Sequence, residues 1–175
     1  GLINKNIVAA VQGLGVSALG VCGADMNLIR AKRREHSTID YGYVGDITHV
    51  HAERMRELLA AGHSLVVAPI THDGKGQLLN TNADTIASEI AVALAGDVQL
   101  TYLFDLPGVL RTLDDPTSVI SEIDSTKIDE LLADGTVSAG MLPKISMALK
   151  AASKGIPVRI QQTLDLGTKR GTLVR

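Results

Sequence analysis

The sequence predicts an α/β protein built on a mainly parallel sheet covered on both faces. Three observations carry that prediction. Short, continuous Val/Ile/Leu-rich runs alternate along the chain with segments whose apolar residues recur at helical spacing. The runs lack the in–out alternation of a half-exposed strand, as buried parallel strands do. Short polar motifs sit where these elements begin or end, and in open α/β sheets that is where ligands bind.

Residues 2–13 carry Leu2, Ile3, Ile7, Val8 and Val11 at helical spacing and close near Gly13 and Gly15, which predicts an amphipathic helix. Because the chain starts at Gly1 with that spacing already running, the expectation is that a further N-terminal piece belongs before it. Residues 16–21 read as a buried strand, and a polar, basic stretch follows to Glu35. Residues 38–50 alternate loosely around Gly42 and Gly45 and suit a β-hairpin. Met55, Leu58 and Leu59 define a helix over 51–61, stopped by Gly62.

Residues 65–70 read as another buried strand, and Asp73-Gly74 marks a hairpin-like turn. Ile86, Ile90 and Leu94 define a helix over 83–95 with Asn82 as its N-cap. Residues 98–104 form the next strand, and a loop around Pro107 and Pro116 leads to a helix over 125–133, closed by Gly135. The last long helix, 141–154, places Met141, Ile145, Ala148, Leu149 and Ala152 on one face. Gly155 ends it, 157–160 is a strand, and 171–174 is read as an edge strand.

At 175 residues with 45% hydrophobic and 21% charged content, the chain can bury a core. Aromatics are only 2%, so Val, Ile, Leu and Ala must build it. A net charge of −2 argues against nucleic acid as the main partner, and the one basic run, Arg30 to Arg34, lacks interleaved aromatics for base stacking. Cys22 is alone, which fits a reducing cytoplasm, and no apolar stretch approaches the length of a membrane span.

The motifs that could carry chemistry come in fixed order: Asn80-Thr81-Asn82-Ala83-Asp84, Asp105-Leu106-Pro107-Gly108 and Gly140-Met141-Leu142-Pro143-Lys144. Amides, carboxylates and one lysine are the groups that hold a polyphosphate and transfer its terminal group, where catalysis is mostly positioning and charge stabilisation. Each has a plainer reading. Asn82 caps a helix and Asp84 complements its dipole. Asp105 to Gly108 suits a type II turn. Lys144 opposes the macrodipole in the first turn of its helix, which favours a functional reason for it. No G-x-x-x-x-G-K-[ST] or G-x-G-x-x-G occurs, and His49, His51, His63 and His72 lack metal-ligand spacing.

Together with Gly42-Tyr43-Val44-Gly45-Asp46 and Gly171-Thr172, these segments give the chain a resemblance to the amino acid kinase superfamily and, within it, to the N-acetylglutamate kinases of arginine biosynthesis. The resemblance implies a three-layer αβα sandwich. Residues 1–95 would be the acyl-amino-acid lobe, with a helix at a homodimer interface, and 96–175 the nucleotide lobe. It further implies that Asn80 and Asn82 contact an N-acyl-L-glutamate, that Asp84 organises catalytic lysines and that Lys144 stabilises the phosphoryl group. Asp105, Gly108, Gly140 and Met141 would lie with Lys144 at the nucleotide, and MgATP would be the phosphoryl donor with no protein-held metal. The family's Lys-x-Gly-Gly strand end and substrate arginine are not among these residues, so this chain by itself is expected to be inactive. Phe104 stands where Thr or Ser is usual, and Ala139 where Gly is common. A different acyl group, a related carboxylate or carbamate, and a non-catalytic metabolite-binding subunit are the alternatives.

Overall fold

The computed structural model describes residues 1–96, 98–112, 114–133 and 142–175, which form two compact units, Gly1–Leu94 and Ala95–Arg175. The first unit opens with α1 (Leu2–Gly13), followed by β1 (Ala18–Cys22), β2 (Ile29–Arg33), β3 (Gly45–Val50), α2 (Ala52–Ala60), β4 (Ser64–Ala68), β5 (Ile70–His72), β6 (Leu78–Asn80) and α3 (Ala83–Leu94). Strands β1 and β4 pair in parallel, and the other four form a sheet in the order β3-β2-β5-β6. The second unit holds β7 (Leu100–Phe104), β8 (Glu122–Ile123), α4 (Ser125–Ala133), α5 (Leu142–Ala152), β9 (Val158–Gln162) and β10 (Thr172–Val174), with its sheet ordered β7-β9-β10-β8. The alternation of strands and helices makes this an α/β fold. Among the described residues, the pairs β1–β4, β2–β5, β7–β9 and β8–β10 are parallel, and β2–β3, β5–β6 and β9–β10 are antiparallel.

The stretch read as polar and basic contains a strand. In β2 Ile29 and Ala31 are buried while Arg30, Lys32 and Arg33 face solvent, so the basic residues are the outward half of a period-two pattern. Strand β3 pairs with this β2, and residues 34–44 form the loop of the hairpin. That loop returns aromatics to the basic run. Arg33 lies over Tyr43 at 5.5 Å and Arg34 over Tyr41 at 5.6 Å, and the two arginines pair with Asp40 and Asp46.

The core of the first unit gathers Val21, Leu28, Ile29, Met55 and Ile86. Ile90 and Leu94 of α3 pack against it only in part, because an apolar recess of about 350 Å³ lies beside them, lined also by Met55, Leu59, Leu65 and Val67. Helix α1 docks against expectation for an amphipathic helix. Its buried residue is Asn4, whose Nδ2 donates to the Val66 carbonyl at 2.8 Å, while Lys5 Nζ donates to the Gly20 carbonyl at 2.7 Å. A Cβ at Gly20 would overlap Asn4 and come within 2.8 Å of Val8, so the glycine sets the close approach of α1 to β1. Leu2, Ile3, Ile7 and Leu14 are left facing outward.

In the second unit, Val158 and Ile160 of β9, Val174 of β10 and Ile145, Ala148 and Ala151 of α5 are completely buried. Ala151 rather than Ala152 completes the inner face of α5, since a three-residue step keeps it above Ala148 and Ile145. Two further expectations are corrected. Strand β10 is interior, hydrogen-bonded to β9 on one side and β8 on the other; a two-residue strand such as β8 carries too little pattern to be seen in the sequence. The turn at Pro107-Gly108 is not type II, because Gly108 lacks the positive φ that type demands at its third position. Gly135, expected to close α4, lies outside the described residues.

Candidate active site

The two asparagines of the first motif flank a buried anchor. Thr81 is 3% exposed, and its hydroxyl takes part in a chain in which Thr71 Oγ1 donates to Thr81 Oγ1 at 2.9 Å and Thr81 Oγ1 donates to the Gly45 carbonyl at 3.0 Å. The Thr81 N–H donates to the Pro69 carbonyl. One residue earlier, the Asn80 N–H donates to the Tyr43 carbonyl at 2.8 Å, and Val44 bridges to Asn80. A Cβ on Gly45 would stand 2.9 Å from both Leu79 and Thr81, so only glycine lets this hairpin close on β6. The segments 42–46 and 79–82, far apart in sequence, are thus stitched into one edge that turns the Asn80 and Asn82 side chains to solvent.

Asn82 also starts α3. Its Oδ1 accepts the Thr85 N–H at 3.1 Å, the geometry of an N-cap. With Oδ1 engaged, its Nδ2 is the end that points donors outward. Asp84 follows in the first turn of α3, half-buried, where a carboxylate complements the helix dipole.

The second unit supplies the lysine. Lys144 is the third residue of α5, and its Nζ lies 4.7 Å from the centroid of the Phe104 ring, the last residue of β7. The exposed Asp105 follows directly at the carboxyl end of that strand. The loop behind it is held by a residue from the far end of the chain. Thr172 Oγ1 accepts the Val109 N–H at 2.9 Å and donates to the Ile120 carbonyl at 2.7 Å. A Cβ on Gly108 would meet Thr172 Oγ1 at 2.8 Å and Val119 at 2.9 Å, so close packing, not a positive φ, requires the glycine here. Gly171 turns the chain into β10 at φ +98°, and a side chain on it would overlap the Ile160 carbonyl.

Of the eight residues expected at a site, Asn80, Asn82 and Asp84 lie together in the first unit, and Asp105, Gly108 and Lys144 in the second. Gly140 and Met141 lie outside the described residues. Residue-by-residue reading missed Thr81, Phe104 and Thr172 as positioning groups. Two signals mark them: a lone aromatic immediately before Asp105, and a glycine–threonine pair just before the chain's last apolar residues. Among the described residues no cluster of three His, Cys, Asp or Glu side chains is placed to share a metal ion.

Strand tips and helix starts that present amides, a carboxylate and a lysine define a class, the α/β proteins that handle anionic ligands at the carboxyl ends of their strands. This chain belongs to the amino acid kinase family, whose model matches residues 1–162. Among its relatives, the acetylglutamate kinase of Bacteroides thetaiotaomicron is 49% identical over 158 residues, which is 89% of this chain and 62% of that protein. The acetylglutamate kinase of Phocaeicola vulgatus is 49% identical over 178 residues, covering 100% of this chain and 69% of the relative. The chain thus spans roughly two thirds of the length of these relatives. The solved structure of smu.665 from Streptococcus mutans UA159 superposes with a TM-score of 0.84 at 32% identity, over 99% of this chain and 66% of that one.

Proposed function

We propose that this chain serves an ATP-dependent kinase of arginine biosynthesis, one that phosphorylates the γ-carboxylate of N-acetyl-L-glutamate to give N-acetylglutamyl phosphate and ADP. The observation that carries the reading is Lys144, a cation placed in the first turn of α5 at the carboxyl end of β7, where neither helix propensity nor packing calls for one. The 49% identity to acetylglutamate kinases supports the choice of substrate.

The chain's residues divide the work by unit. In residues 1–95, Asn80 and Asn82 bind the acylated glutamate. Asn82 keeps Oδ1 on the Thr85 amide and offers Nδ2 to the substrate's α-carboxylate. Asp84 orients the charged groups around it. In residues 96–175, Asp105, Gly108, Gly140 and Met141 line the nucleotide, and Lys144 neutralises charge on the phosphoryl oxygens as the bond to the leaving ADP lengthens. Magnesium arrives on the nucleotide, and no side chain of this chain is assigned to it. The reaction takes place in the cytoplasm, and two copies associate through α1. The outward Leu2, Ile3, Ile7 and Leu14 support that dimer, since they leave an apolar stripe on the helix.

The test is ATP-dependent acyl-phosphate formation from N-acetylglutamate, trapped with hydroxylamine. It is run on this chain and on a version lengthened at its N-terminus to the span of its relatives. Hydroxamate that depends on both substrates is the expected result. Its absence from both proteins, with nucleotide still bound, overturns the reading.

A further inference from the structure

We propose that Phe104 is a positioning residue for Lys144, an aromatic platform that fixes the ammonium group without neutralising it. The inference rests on the role given to Lys144 above, but its geometric half stands on the structure alone. The Nζ–centroid distance of 4.7 Å is within the range in which a ring face attracts a cation. The ring is itself held. Side chains two apart on a strand share a face, and Tyr102, 5% exposed, lies 6.5 Å from Phe104 with their planes 28° apart. A lysine side chain has four rotatable bonds and, in the first turn of a helix, feels the like-signed end of the dipole. Something must hold it at the tip of β7.

A carboxylate there would hold the ammonium by cancelling its charge. An aromatic face holds it through the ring quadrupole and leaves the full positive charge for a developing phosphoryl anion. A catalytic lysine requires that combination, and a surface lysine paired for stability does not.

The experiment compares Phe104→Leu, which keeps apolar bulk and removes the ring face, with Phe104→Tyr, which keeps the face. Lysines are reductively methylated with ¹³C, and the Lys144 resonance is assigned by its absence from Lys144→Arg. The expected wild-type resonance is displaced by the ring current. It moves to the position of exposed lysines in Phe104→Leu and stays displaced in Phe104→Tyr. In the hydroxamate assay, kcat falls about 2- to 30-fold in Phe104→Leu with KM for ATP nearly unchanged, and Phe104→Tyr recovers it. A Lys144 resonance indifferent to Phe104→Leu overturns the platform. A displaced resonance that collapses while kcat holds overturns the positioning role. If wild-type protein forms no acyl phosphate, the kinase reading fails, yet the resonance still decides whether the ring holds the lysine.

Discussion

Thr172, four residues from the end of the chain, holds Val109 in place, its Oγ1 accepting the Val109 N–H at 2.9 Å while donating to the Ile120 carbonyl. One completely buried hydroxyl thereby satisfies two backbone groups of a loop some sixty residues away and fixes the chain that follows Asp105. Thr172→Val keeps the shape and strands both partners. It is expected to cost about 2–5 kcal/mol in denaturant unfolding. Thr172→Ser, which retains the oxygen, should cost about 1 kcal/mol. Equal losses in the two variants would reduce the residue to packing.

Asn82 is assigned two tasks by one side chain. Asn82→Ala removes the cap and is expected to lower stability by about 1 kcal/mol. Asn82→Asp keeps a capping oxygen, so stability should hold, but it turns a donor into a negative charge. KM for N-acetylglutamate should then rise by about tenfold or more, because a buried or half-buried like-charge contact costs at least about 1.4 kcal/mol. A variant with normal KM would confine Asn82 to capping.

Lys144→Met removes the charge and preserves most of the stem. Loss of a contact formed mainly in the transition state should lower kcat about 10²-fold and leave KM for ATP within a few-fold. Unchanged kcat with a raised KM would make Lys144 a ground-state anchor instead.

The His51 imidazole is held below its ordinary range, first by desolvation and then by repulsion from His49, Arg54 and Arg30, with Glu53 opposing. Asn27 Oδ1 accepts Arg30 Nε at 3.0 Å, so its Nδ2 faces His51 Nε2 at 3.3 Å and requires that nitrogen unprotonated. The folded state therefore resists a proton that the unfolded chain takes up near pH 6.5. Stability attributable to His51 is complete above that pH and falls as pH drops through it toward the lower folded value. Urea titrations from pH 7.5 to 5.5 should show a steeper loss in wild type than in His51→Gln. Parallel curves would exclude the linkage.

Gln161 is 1% exposed, and its Nε2 finds no partner among the described residues. Gln161→Leu removes an unpaired buried donor at similar volume and should raise stability by about 1 kcal/mol. A loss of stability in that variant would show that the amide is satisfied, by an ordered water for example.

Much of the architecture was legible from local pattern. Helices α1, α3 and α4 follow from apolar spacing and from Asn82, because a 3.6-residue period and a capping side chain are written in neighbouring residues. Strand β2 was not legible, since its outward residues Arg30, Lys32 and Arg33 mask the two inward ones. The sequence by itself also set the order of the polar motifs and placed each at an element boundary. Only the tertiary structure decided that α1 turns its apolar stripe outward and docks through Asn4, because the close approach at Gly20 leaves room for nothing larger. It alone put β10 in the middle of its sheet, where Thr172 can reach two distant backbone groups. And it alone laid Lys144 on Phe104, a contact between a helix start and a strand end forty residues apart that no local pattern encodes.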